Sequence, residues 1–143
     1  MTIEEAKNEL KQIEAIRNRI LDRKRRLAEL KADFENIKIA KYDGIFVGAS
    51  KQDQCRLETN IDRREKLEKQ ISDDLLNLYE LQQAITWKIE KLPHPYSTVL
   101  TKRYIHLESF EKIAVEMSYS YYYVANFLIP NSIKKYAKDS EKY

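Results

Sequence analysis

The first ninety residues carry two long apolar series at helical spacing, with one break between them. Ile3, Ala6, Leu10, Ile13, Ile16, Ile20, Leu27, Leu30, Phe34 and Ile37 follow one another at intervals of three, four or seven. Residues three and four apart share one face of an α-helix, so 3–41 is expected to be a single helix. Arg23 stands at the one skipped step, and the Leu10–Ile13–Ile16 interval is a stammer in an otherwise heptad-like run. Thr2 with Glu5 three residues on has the form of a capping box. A second series, Leu57, Ile61, Leu67, Ile71, Leu75, Leu78, Leu81, Ile85, Ile89 and Leu92, forms a broad stripe on a helix from about Gln52 to Leu92. At 1.5 Å per residue each helix would be about 60 Å long. The break, "KYDGIFVGASKQD", holds both glycines of the chain, Gly44 and Gly48, and Ile45, Phe46 and Val47 are expected to plug the end of the hairpin. Near-equal lengths and a single connection imply an antiparallel, coiled-coil hairpin over residues 1–92. Two helices leave part of so wide a stripe uncovered, which a second copy would bury, so a homodimer is expected.

Composition narrows the class. Charged residues make up 34% of the 143 residues and the net charge is only +3, so any nucleic-acid binding must come from a local patch. Cys55 is the only cysteine, which fits a reducing compartment. The N-terminal "MTIEEAKNEL" is charged from its fourth residue, unlike a signal peptide, and no apolar window reaches the roughly 20 residues a membrane span needs. The expectation is an all-α, cytoplasmic protein without a membrane role.

Pro93 and Pro95 in "KLPHPYS" end the helical pattern and set a boundary, so that 93–143 is expected to be a separate small domain. Tyr96–His106 reads as a helix with Val99, Leu100, Tyr104 and Ile105 inward. Ser109 is placed to cap a second, "FEKIAVEM", with Phe110, Ile113, Ala114 and Met117 inward. Ser118-Tyr119-Ser120 is the turn. Ser118 stands where glycine is commonest, and Ser120 can cap a third helix that turns Val124, Phe127 and Leu128 inward. Helices joined by so short a turn make a helix-turn-helix. Pro130 is expected to end or kink the third helix near Leu128–Ile129 and to start a further helix over Asn131–Lys138, with "KDSEKY" frayed.

The stretch "VLTKRYIHLESFEKIAVEMSYSYYYVANFL" resembles region 4 of bacterial sigma factors, through Val99, Leu100, Arg103, Tyr104, Ser109, Glu111, Ile113, Ala114, Met117, Ser120 and Val124. A long helical part before such a tail is similar in layout to the ArpU- and RinA-like late-gene regulators of Gram-positive phages and mobile elements. The resemblance covers about a quarter of the chain. It implies a DNA-binding transcriptional regulator, with RNA polymerase or another regulator as a possible protein partner.

In such a fold the third helix enters the major groove. The helical period points Tyr121, Tyr122, Ala125, Asn126 and Ile129 outward, while Tyr119 and Tyr123 are expected to be structural. Asn126 has the donor–acceptor pair that reads adenine, and Tyr121 and Tyr122 can donate to phosphates. With Ser120 these form the expected DNA-binding surface. The helix has no Lys or Arg in its first three turns, so Lys102, Arg103, Lys134 and Lys135 are the nearest cations for phosphates. Two rival functions remain. One is a small terminase-type packaging subunit; the other is a protein-interaction module, an inhibitor of another regulator, that uses the tyrosine-rich face. No catalytic constellation, cofactor motif or metal-ligand spacing occurs around His94, His106 or elsewhere. The run Arg17–Arg26 and the pair Asp73-Asp74 are expected to be solvated helix faces.

Overall fold

The computed structural model describes residues 1–43 and 51–140, with side-chain surroundings given for 1–36 and 54–140. The 44–50 segment, with its expected apolar plug, and residues 141–143 lie outside the described residues. The chain is all-α. Helix α1 spans Ile3–Asp43 and α2 spans Lys51–Glu90, and the two pack against each other. The expected capping box starts α1: the Thr2 amide donates to Glu5 Oε2 at 2.9 Å and the Glu5 amide to Thr2 Oγ1 at 3.2 Å. No described helix is long and apolar enough to cross a membrane.

The chain divides into two compact units. One contains Met1–Arg17 and Asn77–Tyr143 and holds a single apolar cluster. Ala6, Leu10 and Ile13 from α1 and Ile85, Ile89 and Leu92 from the α2 end pack in it with Val99, Leu100, Tyr104, Ile113, Val124, Leu128, Ile133 and Tyr136. Residues after Pro93 therefore share their core with the base of the hairpin, and the proline break falls inside this unit. Antiparallel pairing is visible in polar contacts too. Glu9 Oε1 accepts from Lys88 Nζ at 2.8 Å and from the Tyr136 hydroxyl at 3.1 Å. Burial, then the charge and hydrogen bond of Glu9, pushes the Tyr136 phenol far above its ordinary value and keeps it protonated.

The other unit, Asn18–Leu76, is thinner. Among its described apolar side chains only Ile20 and Ile71 are buried, while Leu21, Ile61, Leu75 and Leu76 are exposed. Its antiparallel direction is read from Arg19 meeting Asp74 while, further along α1, the Leu30 carbonyl accepts from Asn60 Nδ2 at 2.8 Å; Arg64 lies over the Phe34 ring. Asp74 corrects the expectation of a solvated face. It is buried and bonded by Arg19 at 2.8 Å and by Arg23. Arg23, at the skipped step of the apolar series, is thus half-buried and reaches across to the other helix. The rest of the basic run is partly neutralised on its own helix, where Asp22 pairs with Arg25 and Arg26.

After Pro95 come α3, Tyr96–Leu100, a π-helical turn over Thr101–Ile105, and α4, Phe110–Met117. Then follow α5, Tyr121–Tyr123, a second π turn over Val124–Leu128, and α6, Ile129–Ser140. Pro130 does not end the third helix: the helical path from Tyr121 continues through it to Ser140. In the π turn the Ile129 amide reaches back five residues to the Val124 carbonyl. Pro130, which has no N–H to donate, follows directly on this widened turn, where the ladder changes its spacing. The extra residue also rotates the faces. Leu128, Ile129, Ser132, Ile133, Tyr136 and Ala137 are buried, while Phe127 is exposed. The expectations that Phe127 turns inward and Ile129 outward are both overturned by this one-residue shift.

The turn before α5 is a Schellman motif. The Tyr119 amide donates to the Ala114 carbonyl at 2.9 Å and the Ser118 amide to the Val115 carbonyl at 3.3 Å. Ser118 is left-handed, at φ 59° and ψ 38°, a conformation that costs a non-glycine residue about 1 kcal/mol. Ser118→Gly is therefore expected to raise stability by about 0.5–1 kcal/mol, seen as a higher midpoint in urea. An unchanged or lower midpoint would show that the serine carries a compensating contact.

Candidate nucleic-acid interface

Two serines set the helix-turn-helix. Ser109 Oγ accepts from the Lys112 amide at 3.2 Å to start α4, and Ser120 Oγ accepts from the Tyr123 amide at 3.1 Å to start α5. Each satisfies one of the amides a helix start leaves unpaired. Ile113, Ala114 and Val124 are buried between the two helices, and the small Ala114 side chain allows them to approach.

The outer surface of α5 and its π turn is aromatic. Tyr121, Tyr122, Tyr123 and Phe127 are all exposed, Tyr122 most of all at 65%. Tyr123 lies 5.0 Å from Tyr119 and 6.2 Å from Phe127 between ring centroids, and Tyr122 meets Phe127 edge-on at 5.7 Å. Tyr121 leans edge-on against Phe110 at 6.0 Å. Tyr119 and Tyr123 were expected to be structural; both are more than a third exposed and belong to this ring surface. Asn126 is exposed, but its Nδ2 donates back to the Tyr122 carbonyl at 3.1 Å, so the amide must turn outward to meet a base. Ala125, also expected on the surface, is half-buried and lines a cavity beside the helix.

The cations expected to flank this surface differ in availability. Lys102 bonds Glu116 and lies 3.9 Å from Glu108, and Lys112 approaches the same two carboxylates at 3.9 and 3.8 Å. The hydrogen bond to Glu116 raises the Lys102 pKa and lowers that of Glu116, so both stay charged and balance each other. Arg103 donates to the Glu108 carbonyl at 3.0 Å and lies over the Phe110 ring. Lys135 is exposed and sits over the Tyr96 ring, while Lys134 is exposed at the cavity rim. Two further cations at that rim, Lys7 and Lys11, come from α1. They lie more than ninety residues away in sequence, and nothing in their local pattern ties them to this helix.

Among the described residues no group of three or more His, Cys, Asp or Glu is placed to hold a metal ion. His94 Nδ1 lies 2.9 Å from Thr98 Oγ1, and His106 is exposed at a helix end. Comparison with family models, with curated proteins and with solved structures yields no match.

Proposed function

We propose that this chain is a DNA-binding transcriptional regulator of the phage or mobile-element kind, which reads duplex DNA with the α5 surface. The observation that carries the reading is the serine-capped helix-turn-helix with Tyr121, Tyr122 and Asn126 exposed on the first turns of its second helix. A helix presented in this way fits the major groove, with its N-terminal residues toward base edges. Asn126 can pair bidentately with adenine once its internal bond is exchanged, and the two tyrosines can pack on sugars and thymine methyls. Phosphates fall to Lys134, Lys135 and Arg103, since Lys102 is already balanced. The exposed leucines of the Asn18–Leu76 unit are the surface a second copy would cover, giving a homodimer with two reading helices. A regulator of this kind would work in the cytoplasm, alongside RNA polymerase.

Selection of bound duplexes from a random pool, followed by a salt series, tests the reading. Asn126→Ala is expected to weaken the selected site by roughly 5- to 100-fold while leaving the salt slope unchanged. Lys134→Ala should reduce that slope by about 0.9. Failure to retain any duplex at low salt would overturn the DNA reading.

One observation favours a second reading. The rings of Tyr119, Tyr121, Tyr122, Tyr123 and Phe127 form an exposed patch without a cation among them, as suits a protein-binding surface. A Tyr122→Ala variant that keeps DNA affinity but loses a protein partner would favour it. A packaging subunit would instead form a ring, which mass in solution distinguishes from a dimer.

A further inference from the structure

We propose that the cavity beside α5 binds a small amphipathic anion, an apolar body carrying one carboxylate or phosphate head. The cavity has a volume of about 390 Å³ and lies wholly within the Met1–Arg17 and Asn77–Tyr143 unit. That is within the range of small-molecule sites, roughly 300–1,000 Å³.

Its lining divides into two chemical halves. Leu107 from the loop before α4, Phe110 from α4, and Ile129, Pro130 and Ile133 from α6 offer apolar surface. Lys7, Lys11, Arg103 and Lys134 bring four cations to the same space, against the single carboxylate of Glu14. Lys7, Lys11 and Glu14 are four and three residues apart, so α1 presents them on one face. Among the described residues Lys7, Lys11 and Lys134 make no ion pair with protein, whereas Lys102, Lys112 and Lys88 do. Arg103 is held in place by the Glu108 carbonyl and the Phe110 ring.

Like charges beside apolar surface repel one another, and the one carboxylate in the lining does not balance four cations. An anion with an apolar body satisfies both halves at once: its head takes charge-assisted bonds and its body covers the apolar wall. A phosphate of DNA would leave that wall bare, and a metal ion would meet four positive charges. Ala125 and Pro130 of the helix that carries the tyrosines line the same space, so an occupant touches that helix directly. Lys134 and Arg103 are shared with the phosphate contacts proposed above, but the titration below contains no DNA and tests the cavity alone.

Calorimetric titration of the full chain tests it, with decanoate, decyl phosphate, inorganic phosphate and decyltrimethylammonium, each below its aggregation limit. Saturable binding of decanoate or decyl phosphate is expected, the stronger of the two identifying the head. Inorganic phosphate and the cationic amphiphile should bind at least about tenfold more weakly, because each lacks one half of the match. The double change Lys7→Glu, Lys11→Glu should weaken binding of the anion about tenfold or more. Ile3→Trp, at a half-exposed rim position, should abolish it by filling the mouth. Lys24→Glu in the other unit should change nothing, and circular dichroism should confirm that each variant is folded. Equal binding of cationic and anionic amphiphiles, no binding of either, or indifference to the lysine reversals in folded protein would each overturn the proposal.

Discussion

Replacing Leu10 with alanine is expected to destabilise the C-terminal helices by about 2–5 kcal/mol, as much as replacing Leu128 in the turn beside the tyrosines. Leu10 lies on the first helix, more than ninety residues before Ser109, yet it is fully buried in one cluster with Val99, Leu100, Val124 and Tyr136. Deleting most of its side chain removes transfer free energy and leaves a void that the neighbours from α2 and α6 cannot fill without moving. The thermal midpoint should fall by about 10 °C or more, and hydrogen exchange should rise in α4 and α6 together with α1. For the same reason residues 93–143 cut from the hairpin should lose their fixed structure, because Ala6, Leu10, Ile13, Ile85 and Ile89 all leave the cluster. An excised tail with the near-ultraviolet signal and exchange protection of the full chain would refute the shared core.

How far the sequence revealed this arrangement depended on the range of the interaction. Features fixed within four residues were readable. Thr2 with Glu5, Ser109 and Ser120 are caps whose partners lie three residues away, and Ser118 occupies the left-handed position that the turn length requires. The two hairpin helices were readable because their apolar intervals persist over many turns. The π turns were not. A single widened turn at Val124–Leu128 moves every later residue round the helix, so a constant 3.6 period places Phe127 and Ile129 on each other's sides. Pro130 was the local signal of disturbance, but a helix stop and a π turn both accommodate a proline, and periodicity alone does not choose between them. Charges were least legible. Lys102 looks free until Glu116 and Glu108 are brought to it, and Lys7 and Lys11 join Arg103 only when α1 closes the same unit. Leu107, left-handed at φ 54°, carries no glycine to announce it.

Asp74 offers the second large effect, and one that depends on pH. Asp74→Ala should cost about 1–3 kcal/mol, less than the 3–5 typical of breaking a fully buried pair, because the Arg19 and Arg23 side chains remain 49% and 23% exposed. The loss has two sources. The carboxylate's bonds disappear, and two guanidinium groups one helical turn apart then face each other without a counter-charge. Burial by itself would raise the Asp74 pKa, but hydrogen bonds and charge from Arg19 and Arg23 outweigh it and hold the group below its ordinary 3.8. A depressed carboxyl contributes stability above its unfolded pKa and loses it as the pH falls through the folded one. Wild-type protein should therefore lose stability below about pH 4, and Asp74→Asn should lose less over that window, because it has no such proton to take up. Urea unfolding at pH 6 and pH 3 checks the difference, and hydrogen exchange over residues 54–76 assigns it to the hairpin. Equal stability of wild type and Asp74→Asn at pH 6 would mean that the two arginines gain as much from water as from the carboxylate.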